Sequence, residues 1–149
     1  MKPAPELLQL PRYPYQIEIS PRFGDMDVLR HLNNVAINRI YEDARYRFQV
    51  ERLPSLFDRA RAWRGFVASV TIEYLREAHY PDPLLIGAAV GQIGRSSYEL
   101  LLAAFQRGEC VGTCSTTLVM VDKQGKPTPI PPEWRPELEA QVLLAAASE

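Results

Sequence analysis

The chain has 149 residues, a length that suits one domain with a single hydrophobic core. Its 17 basic and 18 acidic residues nearly cancel, so no overall positive charge favours nucleic acid as a partner. The longest strongly apolar stretch, 84–90, is far shorter than the roughly 20 residues of a membrane-spanning helix, so we expect no membrane span.

The beginning of the chain and its cysteines favour a cytoplasmic protein. Segment 1–13 is rich in proline, has no apolar run typical of a secretory signal, and is expected to be flexible. Cys110 and Cys114 lie in a strand-like segment, where four residues separate them by roughly 13 Å, too far for a disulfide. No second cysteine or histidine cluster accompanies them in the sequence, so we expect free thiols and no metal site.

The first predicted elements are a strand and a long helix. Residues 15–19 alternate between apolar and polar, as in a short strand. Between Asn33 and Arg52 the period becomes helical, and the apolar residues of one face are Ile37, Ile40, Tyr41, Ala44 and Phe48. Asn33 or Asn34 suits the N-cap of this helix. Residues 55–64 are compatible with a short helix or with an ordered loop.

The second half of the chain predicts an antiparallel sheet. Four strand-like segments are separated by short breaks: 66–78, 84–93, 97–107 and 110–121. One face of such a sheet needs a cover, and the long helix supplies an apolar stripe of suitable width. The predicted fold is therefore α+β, an antiparallel sheet wrapped around one long central helix. A proline-rich surface connection then leads to a weak helix at 137–147.

A cluster of polar residues precedes the long helix and is the strongest candidate for a catalytic site in the sequence. Asp25, Asp27, His31, Asn33 and Asn34 fall within ten residues. The N–H groups and positive dipole end of a helix N-terminus can stabilise a developing oxyanion beside a carboxylate, as acyl transfer requires. Each Asp taken alone also fits a turn residue whose side chain accepts local N–H bonds.

Two further polar features have both a structural and a functional interpretation. One flank of the long helix is either its solvated side or part of a site; it comprises Asn34, Asn38, Glu42, Arg45 and Gln49. The turn between the second and third strands of the predicted meander can also offer a guanidinium and hydroxyls to phosphate, from Arg95, Ser96 and Ser97. Motifs for a serine-hydrolase elbow, a P-loop or a dinucleotide site are absent from the sequence.

Three motifs together resemble a known family. They are Arg-Phe-Gly-Asp-Met-Asp at 22–27, His-x-Asn-Asn at 31–34 and Tyr-Glu-Asp-Ala-Arg at 41–45. The chain resembles the hotdog-fold acyl-CoA thioesterases of the 4-hydroxybenzoyl-CoA thioesterase type over roughly 14–131. The resemblance implies a single hotdog domain there, with 132–149 as a C-terminal extension. It also implies a homodimer with a continuous sheet, which can pair into a homotetramer, and no metal or redox cofactor.

The resemblance also assigns residues to the reaction. Asp27 matches the catalytic carboxylate, which acts as a nucleophile or as a general base on water. Asn34 matches the helix-start position whose backbone N–H polarises the thioester carbonyl. Asp25 is expected to support Asp27.

The remaining matched positions surround this pair. Glu42 matches an acidic helix position near the site, whereas His31 and Asn33 are expected to shape the loop. Arg30 stands where the family commonly has glycine, and we expect it to narrow the entrance or to contact a phosphate.

The leading functional interpretation is therefore hydrolysis of a thioester carried on CoA or on acyl-carrier protein. Two alternatives stay open on the sequence. One is a hydratase or dehydratase of the same fold, with a histidine and a carboxylate transferring protons. The other is an acyl-CoA binder without turnover, because a fold alone does not establish chemistry.

Overall fold

A computed structural model describes residues 2–57 and 64–146. The strands are β1 (Tyr15–Ile19), β2 (Arg64–Tyr74), β3 (Leu84–Ile93), β4 (Ser97–Gln106) and β5 (Glu109–Val121). The α-helices are α1 (Asn34–Arg52) and α2 (Arg135–Glu139). Short 3-10 helices occupy Pro5–Leu8, Leu10–Arg12, Phe23–Asp25, Pro54–Phe57 and Pro132–Trp134.

The five strands form one antiparallel sheet in the order β1-β3-β4-β5-β2, and α1 packs against it. This confirms the α+β class and the hotdog arrangement of one sheet around one long helix. The strand predicted for 66–78 is shorter at its end than expected. The N–H groups of Leu75 and Arg76 both donate to the Val111 carbonyl, at 2.9 and 3.1 Å, and this irregular pairing ends β2 at Tyr74.

The sequence pattern of α1 is confirmed on its apolar face and at its start. All five residues of the predicted stripe are buried. The Asn33 side chain accepts the Ala36 N–H at 2.7 Å, so Asn33 is the N-cap and Asn34 the first helical residue. The preceding Leu32 is buried in the core. The loop before α1 is thereby attached to the core on one side and to the helix on the other.

Both ends of the described chain contact the sheet side by side. In the segment expected to be flexible, the Tyr13 ring is buried and its hydroxyl donates to the Leu7 carbonyl at 2.7 Å. The Arg12 carbonyl accepts the N–H of Leu144 at 2.7 Å.

The C-terminal helix is shorter than the predicted 137–147, whose last residue lies outside the described residues. After α2 ends at Glu139, the Gln141 carbonyl accepts the N–H of Val90 at 2.7 Å. This bond to β3 replaces a further helical turn.

The structure also bears on the segment 55–64, on the two cysteines and on the expected lack of a membrane span. Of the segment 55–64, the part up to Phe57 belongs to a 3-10 helix, and 58–63 lie outside the described residues. Cys110 and Cys114 are free, as expected, and burial raises the pKa of both thiols. No helix among the described residues is long and apolar enough to cross a membrane.

Candidate active site

The loop between β1 and α1 is organised around the carboxylate of Asp27. Its Oδ1 atom accepts the backbone N–H groups of Leu29 and His31, at 2.9 and 3.1 Å. The Asp27 N–H donates in turn to the His31 carbonyl at 2.8 Å. Oδ2 of Asp27 accepts no hydrogen bond from the described part of the chain, and the residue is solvent-exposed. One oxygen therefore fixes the loop while the other is available for chemistry.

The start of α1 offers unpaired donors next to this loop. The Asn33 side chain satisfies the N–H of Ala36, whereas the N–H groups of Asn34 and Val35 make no hydrogen bond within 2–57 and 64–146. First-turn N–H groups carry the positive end of the helix dipole. The helix start can therefore stabilise negative charge on a bound group.

Asp27 and Asn34 line one cavity of about 310 Å³. Its walls come from the loop, from α1 and from the ends of β2 and β5. Apolar residues form most of the lining: Leu32, Ile37, Tyr41, Tyr74, Leu75, Ala78 and Val111. His31, Arg76, Glu77 and Gly112 complete it. A cavity of this kind can hold an apolar group beside a carboxylate and a helix start.

Asp25 is buried and bonded, unlike the exposed Asp27. Its Oδ2 accepts the Arg22 N–H at 2.8 Å and the Arg39 guanidinium at 2.7 Å. Burial alone would raise the pKa of Asp25, but the Arg22 N–H and the charges of Arg39 and Arg22 together hold it below its usual range. The Asp25 carbonyl also accepts the N–H of Asn33, at 2.9 Å. Asp25 therefore connects the loop to the helix cap.

The two histidines meet beside the same cavity. His31 and His79 form an isolated antiparallel bridge, and their rings contact edge to face with centroids 5.1 Å apart. Nε2 of His31 lies 3.0 Å from Oε2 of Glu77. The sequence did not indicate this grouping, because position 79 reads as an isolated histidine at the end of a strand.

Several predicted site residues lie away from the cavity. Glu42 is exposed on α1 and Arg30 is exposed in the loop, and neither lines the cavity. Arg95, Ser96 and Ser97 lie at the β3–β4 turn, whereas the Asp27 loop follows the end of β1 that pairs with the start of β3. Ten residues of β3 separate the two ends, roughly 30 Å. Within one chain, this turn and Asp27 are therefore not brought together.

Sequence reasoning missed part of the cavity lining. The sequence predicts Tyr41 on the apolar face of the long helix, and the structure shows that this residue also lines the cavity although it is only 1% exposed. Burial raises the pKa of Tyr41 well above its usual value, so the group stays a neutral hydroxyl. The sequence pattern predicts residues 75–78 as the last part of the strand 66–78. The Leu75-Arg76-Glu77-Ala78 segment lines the cavity because β2 ends before it.

Comparison with known proteins identifies the class to which this fold and site belong. The family model of the thioesterase-like superfamily matches residues 21–142, and the chain belongs to this superfamily. It is a thioester hydrolase of the hotdog fold. A search of curated proteins gave no match.

Solved structures agree with this assignment. The PA5185 protein of Pseudomonas aeruginosa PAO1 is 28% identical, with a TM-score of 0.77 over 95% of this chain and 98% of its own. A thioesterase of Thermus thermophilus, complexed with coenzyme A and Zn, is 27% identical, with a TM-score of 0.75 over 87% of this chain and 94% of its own. The probable thioesterase YbaW of Escherichia coli is also 27% identical, with a TM-score of 0.76 over 85% and 98%.

Proposed function

We propose that the protein hydrolyses acyl-CoA thioesters, or the same acyl groups on acyl-carrier protein, to a free acid and a thiol. The observation that carries this proposal is that the Asp27 carboxylate and the unpaired N–H groups at the start of α1 adjoin one largely apolar cavity. Hydrolysis needs a bound thioester whose carbonyl oxygen lies at the helix start and whose carbonyl carbon lies beside Asp27.

In the proposed reaction, the Asn34 N–H binds the thioester oxygen and stabilises the charge that develops on it. Asp27 acts in one of two ways. As a general base, it takes a proton from water while the water oxygen bonds to the carbonyl carbon. As a nucleophile, its free oxygen bonds to that carbon, and water then hydrolyses the resulting anhydride. In both routes the C–S bond breaks, and the leaving thiolate takes up a proton.

Neighbouring residues are proposed to support this pair. Asp25 holds the loop against the helix cap through Arg22 and Arg39, and Asn33 fixes the first turn of α1. Arg30 is exposed in the same loop, and we propose that its guanidinium contacts a phosphate of the carrier outside the cavity. The resemblance predicts Glu42 as an acidic position near the site, but Glu42 lies outside the cavity lining and we assign it no step of the reaction.

Coenzyme A is our preferred carrier. The Thermus thermophilus thioesterase, 27% identical over 87% of this chain, is complexed with coenzyme A. A thioester enzyme acting on CoA also fits the cytoplasmic location that we propose, where free thiols such as Cys110 and Cys114 persist.

We further propose a homodimer formed across β2. This strand is at one edge of the sheet, and along most of its length its side chains are exposed on both faces. Exposed apolar residues concentrate there: Phe66, Val67, Val70 and Tyr74. An open apolar edge strand is suited to pairing with a second copy. Association of two such dimers would give the predicted homotetramer.

Such a dimer would also explain the distant β3–β4 turn. A two-fold axis perpendicular to the sheet makes the two β2 strands antiparallel. The end of one sheet that carries Arg95, Ser96 and Ser97 then lies beside the end of the other that carries Asp27. The partner subunit's Arg95 would thus be available to a phosphate of a CoA bound near Asp27.

The test is release of free thiol from short, medium, long and aromatic acyl-CoAs by wild type and by Asp27→Asn. We expect Asp27→Asn to lose about a hundredfold or more in turnover with unchanged folding, because the free carboxylate oxygen is removed. Asp43→Asn is the matched control, since Asp43 pairs with Arg47 on α1 at 2.8 Å and does not line the cavity. Wild-type turnover by Asp27→Asn would reject the mechanism.

If no acyl-CoA releases free thiol, wild type and Asp27→Asn are compared on acyl-carrier-protein thioesters. Release of thiol from carrier-protein thioesters alone would identify acyl-carrier protein as the carrier. The difference in turnover between wild type and Asp27→Asn would still decide the mechanism.

A further inference from the structure

We infer that His31, Glu77 and His79 form a binding site for one divalent transition-metal ion of the zinc type, beside the loop that carries Asp27. One ligand atom from each residue can be chosen so that all three lie within 4.8 Å of one another. The two imidazole rings are already in contact, and the Glu77 carboxylate lies 3.0 Å from Nε2 of His31.

The donor set selects the kind of ion. Two imidazoles and one carboxylate suit zinc and its neighbours, whereas calcium and magnesium require mostly oxygen ligands. Three protein ligands leave one tetrahedral position for water or another small ligand. Zinc bonds of about 2.0–2.2 Å place tetrahedral ligand atoms roughly 3.4 Å apart, so the three groups need to close up. The Glu77 side chain is 66% exposed and can make most of this movement without repacking the core.

Both histidines are held by their backbones. The N–H of His79 donates to Oε1 of Gln106, and its carbonyl accepts Nε2 of the same side chain, each at 2.8 Å. Gln106 is buried and also donates to the Asp82 carbonyl at 3.0 Å. His31 is held in the same two-sided way by Asp27. These backbone bonds restrict both ligand residues before an ion binds, so less conformational freedom is lost on binding.

An ion pair between His31 and Glu77 explains only part of this arrangement. It leaves His79 unexplained, since the His79 ring makes no hydrogen bond to any residue that the structure describes. A shared cation accounts for all three side chains. Because Oδ1 of Asp27 accepts the N–H of His31, an ion bound to the His31 ring would also restrain the catalytic loop.

The site is tested with tag-free, metal-stripped protein, by calorimetric titration with Zn²⁺ and by the visible absorption of bound Co²⁺. We expect one ion per chain, with tetrahedral Co²⁺ bands. Glu77→Gln and His79→Ala should each weaken affinity by about tenfold to a hundredfold or more, because each removes a ligand. Glu109→Gln is the control, because the substitution removes one negative charge from an exposed glutamate that pairs with Arg76 and is not among the three proposed ligands.

Equal metal affinity in wild type, Glu77→Gln and His79→Ala would overturn the site, as would absence of stoichiometric binding by wild type. Glu77→Gln keeps the test decisive if His79→Ala fails to fold, because Glu77 is exposed. Hydrogen exchange of a peptide spanning 26–33 tests the link to Asp27. At a Zn²⁺ concentration that saturates wild type but not Glu77→Gln, we expect exchange to slow in wild type only. Unchanged exchange in wild type with bound metal would overturn the restraint. No thioester is present, so the result is independent of the proposed hydrolysis.

Discussion

The hydroxyl of Tyr41 lies against the backbone of Gly112 at the wall of the cavity. A Cβ atom at position 112 would come within 3.1 Å of this hydroxyl and within 2.7 Å of the Glu73 carbonyl oxygen. Only glycine therefore allows β5, β2 and α1 to approach this closely. The Tyr41 hydroxyl has no hydrogen-bond partner among the described residues, although its ring is in the core.

Tyr41→Phe should leave stability unchanged or raise it by up to about 1 kcal/mol. An unpaired buried hydroxyl carries a desolvation cost that phenylalanine does not have. Urea unfolding measures the difference, with Tyr98→Phe as the matched control. The Tyr98 hydroxyl donates to Gln49 at 3.1 Å, so its removal should cost about 1 kcal/mol and leave the Gln49 oxygen unpaired. Equal destabilisation by both variants would contradict this view of Tyr41.

Much of the fold could be predicted because its determinants are local. The stripe of α1 and its asparagine cap are set by spacing within one segment, and the strands alternate between clear breaks. The end of β2 could not be predicted, because it depends on two N–H groups converging on the carbonyl of Val111 in another strand. The end of α2 likewise depends on a bond between Gln141 and Val90.

Arg30→Gly should stabilise the protein by about 0.5–1 kcal/mol. Arg30 has a φ of 67°, in the left-handed region that costs a non-glycine residue roughly 1–2 kcal/mol. Glycine removes this strain, and its larger freedom in the unfolded chain offsets part of the gain. Thermal unfolding checks the change, and Arg30→Ala is the control because it removes the side chain and keeps the strain. The explanation fails if Arg30→Ala is as stable as Arg30→Gly.

At Arg30 the sequence motif predicts which residue is unusual but not the backbone conformation of the loop. The resemblance predicts glycine at position 30, and the left-handed backbone angle of Arg30 supplies a physical reason for that preference. For the site as a whole, the loop from Asp25 to Asn34 could be found because it is continuous in sequence. Glu77 and His79 could not, since the bridge between His31 and His79 joins distant segments.

Asp25→Asn should destabilise the protein by about 1–3 kcal/mol at pH 7 and by progressively less in acid. The folded-state pKa of Asp25 is lowered below the ordinary value of 3.8, so the unfolded chain binds the proton more readily. The stabilisation by its carboxylate is therefore fully present above about pH 4 and is lost as the pH falls through the lower folded-state value.

Urea unfolding at a series of pH values measures the gap between wild type and Asp25→Asn. The control Asp43→Asn removes a more exposed partner of Arg47, so a loss of only about 0.3–0.5 kcal/mol is expected. A gap for Asp25→Asn that stays constant down to pH 2 would show that the charge is not its source.

Val70→Lys should convert the proposed dimer to a monomer. Val70 lies in the middle of edge strand β2 and is 41% exposed, where a lysine would place a charge in the apolar contact between copies. Light scattering coupled to size-exclusion chromatography gives the mass directly. Leu85→Lys is the matched control, because Leu85 is 40% exposed on β3, away from the β2 edge. A wild-type monomer would reject the proposed dimer, and dissociation by Leu85→Lys alone would place the interface elsewhere. Either result would remove the partner subunit's Arg95 from the proposed site.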